Sequence, residues 1–70
     1  MSNLAKRLGF RIKCLREEQG MSQRQFCLMI NMNQSYFAGV ELGKRNPSIR
    51  NIEKIMDGLS VTPEQFFKDL

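Results

Sequence analysis

Ser22–Gly43 reads SQRQFCLMINMNQSYFAGVELG, and its punctuation marks two short helices joined by a tight turn. Ser22, with Gln25 three residues on, has the form of a capping box. Phe26, Met29 and Ile30 recur at i, i+3 and i+4, which gives the helix that follows one buried face. Asn31 is expected at the corner, because asparagine tolerates the left-handed conformation better than any residue but glycine. Asn33 then caps a second helix beginning near Gln34. Phe37 and Val40 should face inward, Leu42 should close the helix, and Gly43 should stop it. Helices this short need a common core to be stable.

What the second of these helices shows to solvent is informative. Gln34, Ser35, Ala38 and Gly39 are polar or small and carry no charge. A purely solvated face is usually charged, as Arg11, Lys13, Glu17 and Glu18 are earlier in the chain. Amides, hydroxyls and small residues instead suit close approach to hydrogen-bonding edges. The stretch therefore reads as a helix-turn-helix spanning about 22–43.

With KRNPS following at 44–48, the string resembles the Cro/cI-type (Xre-like) helix-turn-helix family of DNA-binding regulators, from about Leu8 to Phe67. Cys27 stands where that family usually has Ala, Asn31 where it has Gly, and Phe37 where it has Ile or Val. Each keeps the local demand: small at the helix crossing, tolerant of positive φ, apolar in the core. The run SYFAGVELGKRNPSIRNIEKIMDGL most resembles the small controller proteins of restriction–modification systems. The expected fold is all-α, a compact five-helix bundle with a lambda-repressor-like DNA-binding helix-turn-helix. The resemblance also implies that Arg16 and Glu41, both at the core edge, form a partly buried ion pair; two independent surface charges are the alternative.

The remaining helices follow from the same signals. A first helix should run from about Asn3 to Gln19, with Leu8, Ile12 and Leu15 as its stripe and Leu4 extending it backwards. Gly9 weakens its first turns, so residues 1–7 are expected to be a frayed basic arm. Gly20 ends this helix and Met21 returns to the core. Beyond the loop Lys44-Arg45-Asn46-Pro47, Ser48 caps a fourth helix, Ile49 to about Leu59, with Ile52, Ile55, Met56 and Leu59 on one face. Thr62, Pro63 and Glu64 make an orthodox start for a C-terminal helix over about 62–70.

The chain of 70 residues makes one domain, and 41% apolar with 26% charged residues is a globular composition rather than a disordered one. Charge is unevenly placed. Residues 1–50 hold nine Lys/Arg against three Asp/Glu, whereas residues 51–70 hold two Lys against four acids. The positive field belongs to the half that contains the helix-turn-helix, as phosphate binding requires. Two cysteines and no histidine cannot furnish a four-ligand zinc site, so no metal and no cofactor is expected. Cys27 reads as a small buried hydrophobe and Cys14 as a residue at the edge of the first helix; a redox-sensing role is the alternative for either. No apolar run reaches membrane-spanning length, and the start, MSNLAKRLGF, lacks a signal-like apolar segment, so a cytoplasmic protein is expected, and the resemblance implies a bacterial or phage origin.

The major groove of B-DNA admits one helix, and each base pair presents a distinct donor and acceptor pattern there. Gln34, Ser35, Ala38, Gly39 and Arg45 are the candidates for base readout. Gln23, Arg24, Tyr36, Lys44 and Asn46 are the candidates for phosphate contact, Gln23 being the phosphate-binding glutamine the resemblance implies. Tyr36 reads equally as a half-buried core residue. Phe66 and Phe67 point about 100° apart on a helix, so one should pack inward and the other should meet a partner subunit, with Met56 and Val61 contributing. The expected function is a non-enzymatic, sequence-specific transcriptional regulator, a homodimer on a pseudo-palindromic operator that controls its own promoter. Its partners would be double-stranded DNA, a second copy of the chain, and RNA polymerase where the operator abuts a promoter; no membrane and no small-molecule ligand are expected. The alternatives are a phage-type or plasmid repressor, and an antitoxin or adaptor that uses the same fold for protein contact.

Overall fold

In a computed structural model that describes residues 3–68 and 70, five helices follow one another: α1 Leu4–Glu18, α2 Gln23–Ile30, α3 Gln34–Glu41, α4 Ile49–Leu59 and α5 Pro63–Phe67. Met1, Ser2 and Asp69, which belong to the expected arm and C-terminal helix, lie outside the described residues. Each of α2 to α5 begins where a side-chain oxygen accepts a first-turn amide. Ser22 accepts from Gln25, Asn33 from Tyr36, Ser48 from Asn51 and Thr62 from Gln65. At Ser22 and Thr62 the glutamine returns the bond, completing two capping boxes.

The first four helices also stop alike. A left-handed residue follows each, Gly20 (φ 72°), Asn31 (φ 55°), Gly43 (φ 75°) and Ser60 (φ 59°). The next amide then donates back across the turn: Met21 to the Arg16 carbonyl, Met32 to Cys27, Lys44 to Gly39 and Val61 to Met56, at 2.9–3.3 Å. This is the Schellman closure, which satisfies carbonyls that a helix end would otherwise leave bare. After three of these turns the next side chain is apolar, and Met21, Met32 and Val61 pack against the core. After α3 it is Lys44, which is exposed.

The core is built from Leu8, Ile12 and Leu15 of α1, Phe26, Cys27 and Ile30 of α2, Phe37 and Val40 of α3, Ile55, Met56 and Leu59 of α4, and Phe66 of α5. The rings of Phe26 and Phe37 meet at 5.2 Å between centroids, tilted by 44°. Gly9 is where α1 crosses the end of α3: a methyl group there would overlap the carbonyl oxygens of Val40 and Glu41. A residue that weakens an isolated helix is thus required by the helix lying across it, and α1 is helical from Leu4 rather than frayed to residue 7.

Three further expectations change. Met29 is 55% exposed, because the buried arc of α2 is centred between Phe26 and Cys27 and Met29 falls about 110° from its middle. Leu4 lies on the correct face of α1 but a turn beyond the helices that cover Leu8, and it is exposed. Leu42 is the C-cap that closes α3, as expected, and its side chain faces out. Met56, expected at a subunit interface, is only 6% exposed and packs in the core.

Candidate nucleic-acid interface

The C-terminal end of α3 is held by a buried polar network. Arg16 Nε donates to Glu41 Oε2 at 2.8 Å and Arg16 Nη2 to Glu41 Oε1 at 3.0 Å, a bidentate arrangement. Arg16 Nη1 donates to the Met21 carbonyl at 2.7 Å, and Gln23 Nε2 donates to Glu41 Oε1 at 2.8 Å. The Glu41 carboxylate, first by accepting these bonds, holds the Arg16 guanidinium above its ordinary pKa. Among the described residues no buried side-chain nitrogen or oxygen is left without a partner. That completeness matters, because a half-satisfied buried charge pair is worse than an apolar core. Nearby, burial pushes the Cys27 thiol up, so it stays protonated, the unreactive form.

Arg16 and Glu41 are paired, as the family resemblance implied. The engagement of Gln23 is new. Its amide nitrogen gives one hydrogen to Glu41 and keeps a second, so the core pair orients this side chain at the start of α2.

At the other end of α3 the first two residues are open to solvent. Gln34 and Ser35 are exposed, and Ala38 is half-buried. Ala38 lies in a groove shared with Gln23 and Glu41 and rimmed by Lys6, Phe10, Lys13 and Leu42. Lys6, Phe10 and Lys13 recur at i, i+4 and i+7 on α1, which is the signal that could have placed both lysines beside α3. Arg24 is exposed on α2. Lys44 and Asn46 flank a second groove with Leu4, Ala5, Leu8 and Ile52.

Tyr36 is half-buried, and its hydroxyl accepts from Asn51 Nδ2 at 3.0 Å. The Arg45 guanidinium carbon lies 5.8 Å from the centre of the Tyr36 ring, within cation–π range. Gly39 adjoins the Arg45 side chain. Asn51 was not among the expected residues; only its place one turn into α4 brings it to Tyr36.

At the C-terminal end Phe66 is fully buried while Phe67 is 44% exposed, the two rings meeting edge to face at 5.0 Å. Arg11 fastens this end to α1, donating from Nη2 to the Gln65 carbonyl at 2.9 Å and from Nε to that of Phe66 at 3.3 Å. Val61 is half-buried. Among the described residues no group of three or more His, Cys, Asp or Glu could hold a metal ion. None of the described helices is long and apolar enough to cross a membrane.

An α3 whose exposed start carries no charge, locked at its far end to α1 and crossed by α2, defines a helix-turn-helix domain, and the family profile described as helix-turn-helix matches residues 12–66. The chain belongs to that family. Within it, the chain groups with the controllers of restriction–modification systems. It is 38% identical over 71 residues to the control protein C.MunI of Mycoplasma sp, covering all of this chain and 96% of the relative. Its fold superposes with a TM-score of 0.89 on the controller C.Esp1396I, solved as a tetramer with its natural 35 base-pair operator, at 37% identity over 97% of this chain and 90% of that one. The controller C.AhdI of Aeromonas hydrophila matches with a TM-score of 0.88 at 33% identity, over 94% of this chain and all of the other.

Proposed function

We propose that the chain is a restriction–modification controller, a cytoplasmic regulator that binds its operator as a homodimer and acts on its own promoter. The observation that carries this reading is the contrast along α3. Its exposed start offers Gln34 and Ser35, groups with hydrogen-bonding capacity and no charge, while its end is immobilised by Arg16, Glu41 and Gln23. Gln34 and Ser35 would read base edges in the major groove, with Ala38 leaving room for a thymine methyl. Gln23, Arg24, Lys44 and Asn46 would contact phosphates and fix register, and Lys6 and Lys13 join them from α1.

The dimer would form at the C-terminal end. Phe66 fills its own core, whereas Phe67 is left for a partner, with Val61 beside it; Met56 is excluded by its burial. An interface there leaves both α3 helices free to meet half-sites about 34–36 Å apart.

The test is selection of bound duplexes from a random pool, followed by salt titration on the winner. A pseudo-palindrome with two half-sites, and an affinity that falls log-linearly with salt, are expected. Enrichment of no sequence would overturn the reading. Phe67→Ser should move sedimentation towards monomer with the fold intact; a variant that remains fully dimeric would place the interface elsewhere.

A further inference from the structure

We propose that Gly39 is a specificity-determining residue that acts through Arg45: the missing side chain forms a seat that lays the arginine along α3. The proposal rests on the DNA-binding reading above and adds to it how the loop arginine is aimed.

The loop after α3 does not leave the helix directly. The Lys44 amide donates to the Gly39 carbonyl at 2.9 Å, folding the chain back along the last turn, so that the next residue, Arg45, stands over Gly39. A methyl group added at Gly39 would lie 2.7 Å from Arg45 Cγ, 3.7 Å from Nε and 3.8 Å from Cβ. The stem of the arginine therefore occupies the space a larger residue would fill. Its guanidinium continues to the Tyr36 ring at 5.8 Å, one turn earlier on the same face of α3. That ring is itself held, because its hydroxyl accepts from Asn51 Nδ2 at 3.0 Å. Asn51 is fixed in turn at the start of α4, where its backbone N–H donates to Ser48 Oγ at 3.1 Å.

Glycine is the poorest ordinary helix former apart from proline, so its presence mid-helix calls for a cause. Open space for DNA would be one, but that space is already taken by Arg45. An exposed arginine normally loses much rotamer freedom when it binds; one already placed over a fixed ring and seated against a helix loses less, which favours binding and narrows the sites it can reach.

The experiment is a double-mutant cycle of Gly39→Ala and Arg45→Ala, measured as affinity for the selected duplex and for random DNA. Alone, Gly39→Ala should lower specific affinity about 2- to 10-fold, lower the ratio of specific to random binding, and leave unfolding in urea unchanged or shifted to higher concentration. In the Arg45→Ala background it should have no further effect. If the two losses multiply, Gly39 meets DNA itself and the proposal is wrong; it is equally wrong if Gly39→Ala alone changes nothing. A DNA-free readout separates this from the functional reading. The heteronuclear NOE of Arg45 Nε should report an ordered side chain in the wild type and a mobile one in Gly39→Ala. A mobile wild-type arginine would sink the seat even if operator binding stands. Failure of the wild type to bind any duplex, with an ordered arginine, would sink the operator reading instead.

Discussion

The two ends of α3 are built on opposite principles. The C-terminal end is fastened: Glu41 is buried against Arg16 and Gln23, and Gly9 of α1 presses on the carbonyls of Val40 and Glu41. The N-terminal end is tied more lightly, by the Asn33 cap and the bond from Asn51 to the Tyr36 hydroxyl, and Gln34 and Ser35 stand in solvent. A helix of eight residues has little stability of its own. It can offer one end to a partner only if the other is held by the rest of the fold. Stability and recognition are thus separated along a single short helix, and substitutions at the two ends should be read on different instruments.

The largest expected effect is Glu41→Ala. It strands the Arg16 guanidinium in the core and removes the partner of Gln23, and should cost about 3–5 kcal/mol of unfolding free energy. A loss below about 1 kcal/mol in urea titration would mean that the pair behaves as a surface bridge. Gly9→Ala comes next. Alanine is the better helix former, but its methyl group must push α1 away from α3, a net loss of about 1–3 kcal/mol; an unchanged unfolding midpoint would show that the crossing can open freely. At the other end Gln34→Ala should leave unfolding within about 0.5 kcal/mol and cost about 1–3 kcal/mol on the selected duplex, with much less on random DNA. Equal losses on both DNAs would make Gln34 a positioning group. The smallest effect is that of Lys44→Ala, which should weaken all sequences alike and reduce the magnitude of the salt slope by about 1. An unchanged slope would remove Lys44 from the phosphate contacts.

Local chemistry was legible in the chain. Ser22 with Gln25, Asn33, Ser48 and Thr62 cap helices as read, and Asn31 and Gly43 take the left-handed turns. Each of these depends on a few neighbouring residues. What crosses between helices was less legible. Gly9 looked like a weakness because helix propensity counts only its own turn, whereas the carbonyls it accommodates belong to residues 40 and 41. The pairing of Arg16 with Glu41 followed from the family resemblance; periodicity marked both only as misplaced charges. Met29 was misassigned because an i, i+3, i+4 pattern fixes a stripe only to within one residue, and tertiary packing chooses which edge is covered; Met56 lies on the buried face its stripe gave it, and that burial removes it from the expected subunit interface. Asn51 on Tyr36, and Gly39 under Arg45, were beyond reach because the partners come from separate elements.

The repeated Schellman endings bear on how soon a new chain becomes useful. Four helices finish within a few residues of the next start, each turn closed by bonds among its immediate neighbours. Helical chains rich in such local closures fold in roughly microseconds to milliseconds, far faster than a ribosome adds residues. On the reading proposed above, in which the chain acts on its own promoter, the delay between first transcript and first occupied operator would therefore lie in accumulation and in the meeting of two subunits. The timing of the circuit would then be set by protein concentration, with the polypeptide itself adding almost no lag.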